Sequence, residues 1–272
     1  ITAATPMLLT GPAAGDAKLQ TSVDTTGTEV LGTINNCGNG YTPWGTYLTC
    51  EENFNGNFGT TDNPSVDGRT DAMKRYGITA GTSGYAWETQ HTRFDYKIEP
   101  NESNRFGWVV EIDPFDPTSK PKKRTALGRF KHENAAYAFT KDKRVVIYMG
   151  DDQADDYIYK FVSTNAYIDG NQRANANLLD NGKLTLTPLD LALTQPSGDF
   201  THIIHAATDA SAALNEAKPL TVFQTIVRGT EHVLELAAAQ PGAKVLFLSS
   251  GAVYGQQPIE LAGIPETWTG RP

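Results

Sequence analysis

The sequence predicts a mainly β chain that ends in a βαβ fragment, and two patterns support this prediction. In the first two-thirds of the 272 residues, short apolar runs alternate with turns that contain Gly, Pro and Asp, with no helical period between them. That arrangement is typical of all-β architecture. After Phe200, a segment with a period of about 3.6 residues lies between two apolar runs. Strand, helix and strand in that order indicate a parallel sheet.

The predicted strands of the β region begin with Glu29 to Ile34 and with the aromatic run Trp44 to Thr49. The segment Gly59 to Gly84 is dense in Gly, Asp, Thr and Ser, and we expect it to be a long loop. The later strands are each bounded by turn residues: Gly107 to Asp113, Thr125 to Phe130, Arg144 to Gly150 and Tyr157 to Val162. On pattern alone, a sandwich and a propeller are both open.

The βαβ pattern is made of three consecutive segments. Thr201 to Thr208 is a short apolar strand, and Glu216 to Gln240 contains a long helix that Pro241 and Gly242 end. Lys244 to Gly255 is a second apolar strand, which runs into a turn rich in Ser and Gly.

The composition excludes several classes of partner. The chain carries 31 Asp and Glu residues against 23 Lys and Arg residues, for a net charge of -8. This acidic balance predicts no nucleic-acid or anionic-membrane partner, because both need a positive surface. No apolar run reaches the ~18 to 20 residues of a membrane span. The first residues lack a signal-peptide pattern, so we expect any such peptide to be removed or never present.

The sequence from Cys50 to Asn53 has donors that suit a metal site, although such a run on its own is more often a solvated strand end. The thiol of Cys50 is followed directly by Glu51, Glu52 and Asn53, so a soft donor precedes hard oxygen donors. Such a mixture suits a transition metal with a harder cation nearby. Strand alternation sends Glu51 and Glu52 to opposite faces, so both ligate only where the strand ends or bulges. The Asn55-Gly56 turn places these donors at a strand end.

Other donors follow later strands. His132 and Glu133 come after one strand, and Asp151 and Asp152 come after the next. On its own, a His is more often a hydrogen-bonding residue, and an Asp pair is more often a turn. The alternative for Cys50 is a buried thiol or a disulfide with the other cysteine, Cys37.

Four segments resemble the PhoX-type alkaline phosphatases, a family of exported, metal-dependent phosphomonoesterases. They are NNCGNGYTPWGTYLTCEENFNG at Asn35 to Gly56, and then Arg105 to Pro117, Lys123 to Glu133 and Gly150 to Ser163. They occur in the family's order. The resemblance implies a partial β-propeller over residues 1–184, with metals bound at its central channel.

The same resemblance implies the site and its chemistry. The implied metal ligands are Cys50, Glu51, Glu52 and Glu133, with either Glu51 or Glu52 as the direct ligand. Asp151 and His132 are weaker candidates, and Cys37 is an alternative to Cys50. The implied cofactors are iron and calcium, the implied substrate is a phosphomonoester, and the implied location is periplasmic or secreted. It names no catalytic nucleophile or base. Because the propeller is incomplete, an inactive protein that still binds metal is one expected outcome.

A second resemblance covers residues 198–272, which are similar to the middle of the extended short-chain dehydrogenases, the NAD-dependent nucleotide-sugar epimerases. The turn SSGAVYG aligns Ser250 with that family's catalytic hydroxyl. The chain has no glycine-rich dinucleotide fingerprint, and Pro258 stands four residues after Tyr254 where the family has Lys. NAD binding is therefore not expected, and we expect Ser250 to be scaffold.

The two resemblances divide the chain into a phosphatase-like partial propeller (1–184), a junction (185–199) and an α/β Rossmann-like fragment (200–272). A natural fusion, a chimera and a wrongly assembled sequence all produce such a chain. Both halves would expose edges that their families cover, which predicts self-association. The alternatives to a phosphatase are a cytoplasmic epimerase-like oxidoreductase and a non-enzymatic calcium-binding β module.

Overall fold

The structure, a computed structural model, describes residues 5–153, 156–187, 199–205, 216–249 and 267. The chain divides into two compact units, Ile1–Pro188 and Leu189–Pro272. Most of the predicted junction at 185–199, and Ser250 with the turn around it, lie outside the described residues.

The first unit contains a six-stranded sheet. Its strands are β1 (Pro6–Thr10), β2 (Glu29–Leu31), β3 (Asn36–Tyr41), β4 (Tyr47–Glu51), β5 (Val109–Ile112) and β6 (Lys122–Arg124). Their order across the sheet is β2-β1-β6-β5-β4-β3. The pair β1 and β6 is parallel, and the other neighbouring pairs are antiparallel.

A second sheet of four antiparallel strands completes this unit. Its strands are β7 (Ala136–Phe139), β8 (Arg144–Gly150), β9 (Ile158–Ala166) and β10 (Gly182–Thr187), and they neighbour one another in chain order. Two short helices, α1 (Asp71–Arg75) and α2 (Gln172–Asn175), lie in the connections. The prediction of a mainly β chain is confirmed. Both sheets are open within the described residues, so the propeller stays a prediction.

Apolar side chains cover both faces of the six-stranded sheet, because side chains alternate along each strand. On one face, Met7, Val30 and Val110 pack with aromatic residues of the connections, among them Phe58 and Phe106. One hydrophobic cluster of the core therefore lies between this face of the sheet and the long connections that cover it.

The opposite face of this sheet packs against the four-stranded sheet. Leu48, Cys50 and Val109 join one buried cluster with Ile147 and Phe161 of β8 and β9. This packing brings the ends of β4 and β8 into one region of the molecule.

One prediction about this unit is wrong, and another is incomplete. The predicted strand Thr125 to Phe130 is a short 3-10 turn at Thr125–Leu127, which Gly128 follows with a φ of +89°. The strand lies just before it, in the basic run Lys122–Arg124. The predicted long loop from Gly59 to Gly84 contains α1, which the Thr70 side chain caps.

The basic strand β6 is buried because its charges are paired on both faces of the sheet. Lys123 Nζ lies 2.7 Å from Glu51 Oε1, and neither side chain is exposed. On the other face, Arg124 lies 2.7 Å from Glu111 and 2.6 Å from Asp180. Burial lowers the pKa of Lys123 to about 8, and the Glu51 carboxylate opposes that shift.

The second unit contains a helix between two parallel strands. Its elements are β11 (His202–His205), α3 (Pro219–Ala238) and β12 (Lys244–Phe247). Ile203 of β11 packs against Val233 and Leu236 of α3. These elements do not establish a Rossmann fold, which stays a prediction. None of the helices in the described ranges has the length and apolar character that crossing a bilayer requires.

We expect Lys123→Met to lower the free energy of unfolding by about 3 to 5 kcal/mol, because it leaves the buried Glu51 carboxylate without its cation. Lys120→Met is the matched control, since Lys120 pairs with Glu29 on the surface and both side chains are well exposed. Urea titration followed by tryptophan fluorescence measures both. Equal losses in the two variants would contradict a special role for the buried pair.

Candidate metal centre

Three donor side chains converge where the two sheets meet. One ligand atom each from Cys37, Glu52 and Glu133 lies within 4.8 Å of the other two. Cys37 belongs to β3 and Glu52 follows β4, whereas Glu133 lies just before β7. We call these three residues the donor cluster. The six-stranded sheet and the connection that leads into the four-stranded sheet therefore both contribute to it.

The end of β4 determines which of the two neighbouring glutamates reaches the cluster. The Oε1 atom of Glu51 accepts a hydrogen bond from Lys123, and its Oε2 atom accepts hydrogen bonds from the backbone N–H groups of Gly107 (2.9 Å) and Trp108 (3.1 Å). These partners hold Glu51 inside the protein. Glu52 points the other way, as strand alternation requires, and is half-buried.

The two cysteines are both free and lie in different surroundings. Cys50 is buried between the sheets, and burial raises its pKa to about 12, so its thiol keeps its proton. Cys37 is exposed, in a part of β3 whose register shifts between Asn36 and Asn39. The structure thus brings Cys37 and not Cys50 to Glu52 and Glu133.

His132 lies in the interior beside the cluster. Its Nε2 atom is 3.0 Å from the Gly128 carbonyl oxygen, and its ring stacks on Phe130. Its Nδ1 atom is buried and has no hydrogen-bond partner within the described residues. Burial lowers the pKa of His132 to about 3, so the ring is neutral.

The two aspartates after β8 point in different directions. Asp151 Oδ1 accepts a hydrogen bond from the Lys131 N–H (3.2 Å), and Asp151 Oδ2 is buried without a partner among the residues described. Burial, with the nearby charge of Asp156, raises the pKa of Asp151 to about 6. Asp152 lies beside Glu52 instead. Because consecutive side chains of an extended segment point in opposite directions, the sequence alone could have predicted that Asp151 and Asp152 face different ways.

The electrostatics of the cluster favour a cation. Burial raises the pKa of Glu52, and the neighbouring carboxyls of Asp152 and Glu133 raise it further, whereas the Cys37 thiol lowers it by donating a hydrogen bond. Within the described part of the chain, no Lys or Arg forms an ion pair with Glu52, Glu133 or Asp152. Like charges this close repel each other, and a bound cation relieves that repulsion.

The chemistry of these donors fits the metals that the sequence predicts. One sulfur beside several carboxylate oxygens suits a transition metal with a hard cation nearby. The sequence-predicted ligands Glu52 and Glu133 lie together, whereas Cys50 and Glu51 lie inside the protein and Asp151 points away from Asp152. The full set of predicted ligands stays a prediction.

Comparison with known proteins identifies related sequences. A family model described as alkaline phosphatase PhoX matches residues 1–234. A solved structure, Pseudomonas fluorescens PhoX in complex with vanadate, a transition state analogue, is 54% identical over 68% of this chain, with a TM-score of 0.65. The chain spans 31% of the length of that protein. A search of the curated proteins finds no match.

The family match also bears on the second resemblance. It extends past residue 184 and ends within α3, inside the segment that we compare with epimerases. No comparison supports the epimerase resemblance.

We expect iodoacetamide to modify Cys37 and to leave Cys50 intact in the folded protein at mildly alkaline pH. The pKa of both thiols lies above the usual value, but Cys37 is exposed to the reagent, whereas Cys50 is buried and has a pKa of about 12. Peptide mapping by mass spectrometry measures the modified fraction of each cysteine. In concentrated urea both should react, and faster labelling of Cys50 in the folded protein would show that its placement in the core is wrong.

Proposed function

The chain belongs to the PhoX family of alkaline phosphatases, and on that basis we propose that it acts as a metal-dependent phosphomonoester hydrolase. The observation that carries the proposal is the donor cluster of Cys37, Glu52 and Glu133, in a chain of this family. The similar solved structure is described with vanadate as a transition state analogue, which supports phosphoryl transfer as the reaction class.

The residues that would hold metal are Cys37, Glu52 and Glu133, with Asp152 beside them. We propose iron and calcium as the ions, since sulfur and carboxylate donors together suit that pair. When bound, such ions neutralise the oxygens of a phosphate ester and orient it for displacement.

The protein's own contribution includes the way in which the donors shift one another's pKa values. The pKa of Glu52 and that of Cys37 both lie above their usual values in this structure, Cys37 chiefly because its thiol donates a hydrogen bond to Glu52. Ligation requires the thiolate form of Cys37, so metal binding should release the proton of that thiol.

We further propose that residues 1–184 are part of a β-propeller in a periplasmic or secreted protein. A four-stranded antiparallel sheet with strands in chain order, such as β7 to β10, is the unit from which propeller blades are built. The export proposal rests on the resemblance to an exported family.

The other predicted functions have less support. The function of an NAD-dependent epimerase is not supported, because neither the family model nor the solved structure belongs to that family. A non-enzymatic calcium-binding module accounts for the carboxylates, but it does not account for the thiol of Cys37, since calcium prefers oxygen ligands.

We expect Cys37→Ser and Glu133→Gln each to lower metal content and p-nitrophenyl phosphate hydrolysis by at least about tenfold. Cys50→Ala is the matched control, because it also removes a thiol but removes it from the core. It should lower stability while the folded protein keeps its metal and its activity. Inductively coupled plasma mass spectrometry gives the metal content.

Three results would contradict this assignment. Metal loss in Cys50→Ala but not in Cys37→Ser would exchange the roles of the two cysteines. Calcium alone, without hydrolysis, would favour the calcium-binding module. A natural chain that binds neither ion and hydrolyses no ester would end the proposal.

A further inference from the structure

Strand β3 lies directly against the backbone of residues 133–135. The N–H group of Gly38 donates a hydrogen bond to the carbonyl oxygen of Glu133 at 2.5 Å. A Cβ atom on Gly38 would lie 2.3 Å from that oxygen, and a Cβ atom on Gly40 would lie 1.8 Å from the carbonyl oxygen of Ala135. Cβ contacts under 3.0 Å essentially never occur, and here the opposing atoms belong to rigid backbone.

The requirement for glycine at these two positions is one of space. Neither Gly38 nor Gly40 has a positive φ, so another residue would fit the backbone conformation. A side chain at either position would instead collide with the opposing backbone, because the two segments lie too close together. We call this contact, between Gly38 and Gly40 on one side and residues 133–135 on the other, the glycine seam.

The glycine seam adjoins the donor cluster. Cys37 immediately precedes Gly38, and Glu133 is the residue whose carbonyl oxygen Gly38 binds. Cys37 comes from the six-stranded sheet, and Glu133 leads into the four-stranded one. The seam is therefore a backbone contact directly beside both donors, in addition to the hydrogen bond from the His132 N–H group to the Glu51 carbonyl oxygen (3.0 Å).

We propose that Gly38 and Gly40 are positioning residues, which hold the thiol of Cys37 beside the carboxylate of Glu133. The proposal takes the metal from the proposed function, but its geometry stands without a metal. An alanine at Gly40 must push β3 and Ala135 apart by more than an ångström. Metal–ligand distances tolerate only about 0.2 Å, so a shift of that size should disrupt the pairing.

The first test measures the separation of the donors and needs no metal. Glu133→Cys puts a second thiol beside Cys37, and oxidised glutathione should convert the pair to a disulfide. Adding Gly40→Ala should slow this closure on the order of tenfold or more, since an ångström of misplacement strongly reduces reaction between neighbouring groups. Gly81→Ala is the matched control, because a Cβ there makes only an ordinary 3.5 Å contact with Pro64.

The second test measures metal binding in the otherwise natural chain. Cobalt(II) bound to a thiolate gives a near-ultraviolet charge-transfer band, so its titration reports the Cys37 bond directly. Gly38→Ala and Gly40→Ala should each weaken cobalt binding by about 10- to 100-fold, as changes to supporting residues of metal sites do. Gly81→Ala should leave the titration unchanged, and circular dichroism should show that all three variants are folded.

The outcomes separate this proposal from the proposed function. One outcome is that Gly40→Ala slows disulfide formation while the unsubstituted chain binds no cobalt. This outcome supports the positioning role and contradicts the proposed metal-dependent function. Unchanged closure in folded Gly40→Ala overturns the positioning role, whatever the metal does. Loss of the whole fold in both alanine variants also overturns it, because the glycines would then be required for folding and not for placing the donors.

Discussion

The ion pair between Glu51 and Lys123 fixes the orientation of β4, and the rest of the site depends on that orientation. Both side chains are fully buried, and the carboxylate also accepts backbone hydrogen bonds from Gly107 and Trp108. A buried carboxylate with several partners cannot be exchanged for its neighbour without leaving those partners unsatisfied. A one-residue slip of β4 would turn Glu52 inwards and Glu51 outwards. The pair therefore keeps Glu52 at the donor cluster.

The same physics explains which parts of the fold the sequence predicts. Strands made of apolar residues, such as β8, are found at their true positions, because burial and alternation leave a clear pattern. Strand β6 is missed because Lys122, Lys123 and Arg124 look like a solvated run. Their burial depends on Glu51 and Glu111, which lie far away in sequence. The local sequence around β6 does not indicate these distant partners, so it cannot predict that the strand is buried.

The candidate site shows a similar division. Alternation alone predicts that Glu51 and Glu52 face opposite ways, and it also places Cys50 on the same side as Leu48, which is a core position. Alternation does not choose between the two thiols, because it puts Cys50 on the same side as Glu52, and the carboxylates next to Cys50 point to that cysteine. The glycines of β3 could not be interpreted from sequence, because the backbone they approach lies about 95 residues further along the chain.

Because the donor cluster combines the six-stranded sheet with the connection that leads into β7, an ion held there would tie these two parts together. The unfolded chain has no such arrangement of donors, so every increment of binding energy would add to the stability of the native state. Cation availability would then govern how long the protein survives after synthesis. A molecule without the ion would open between these parts more often.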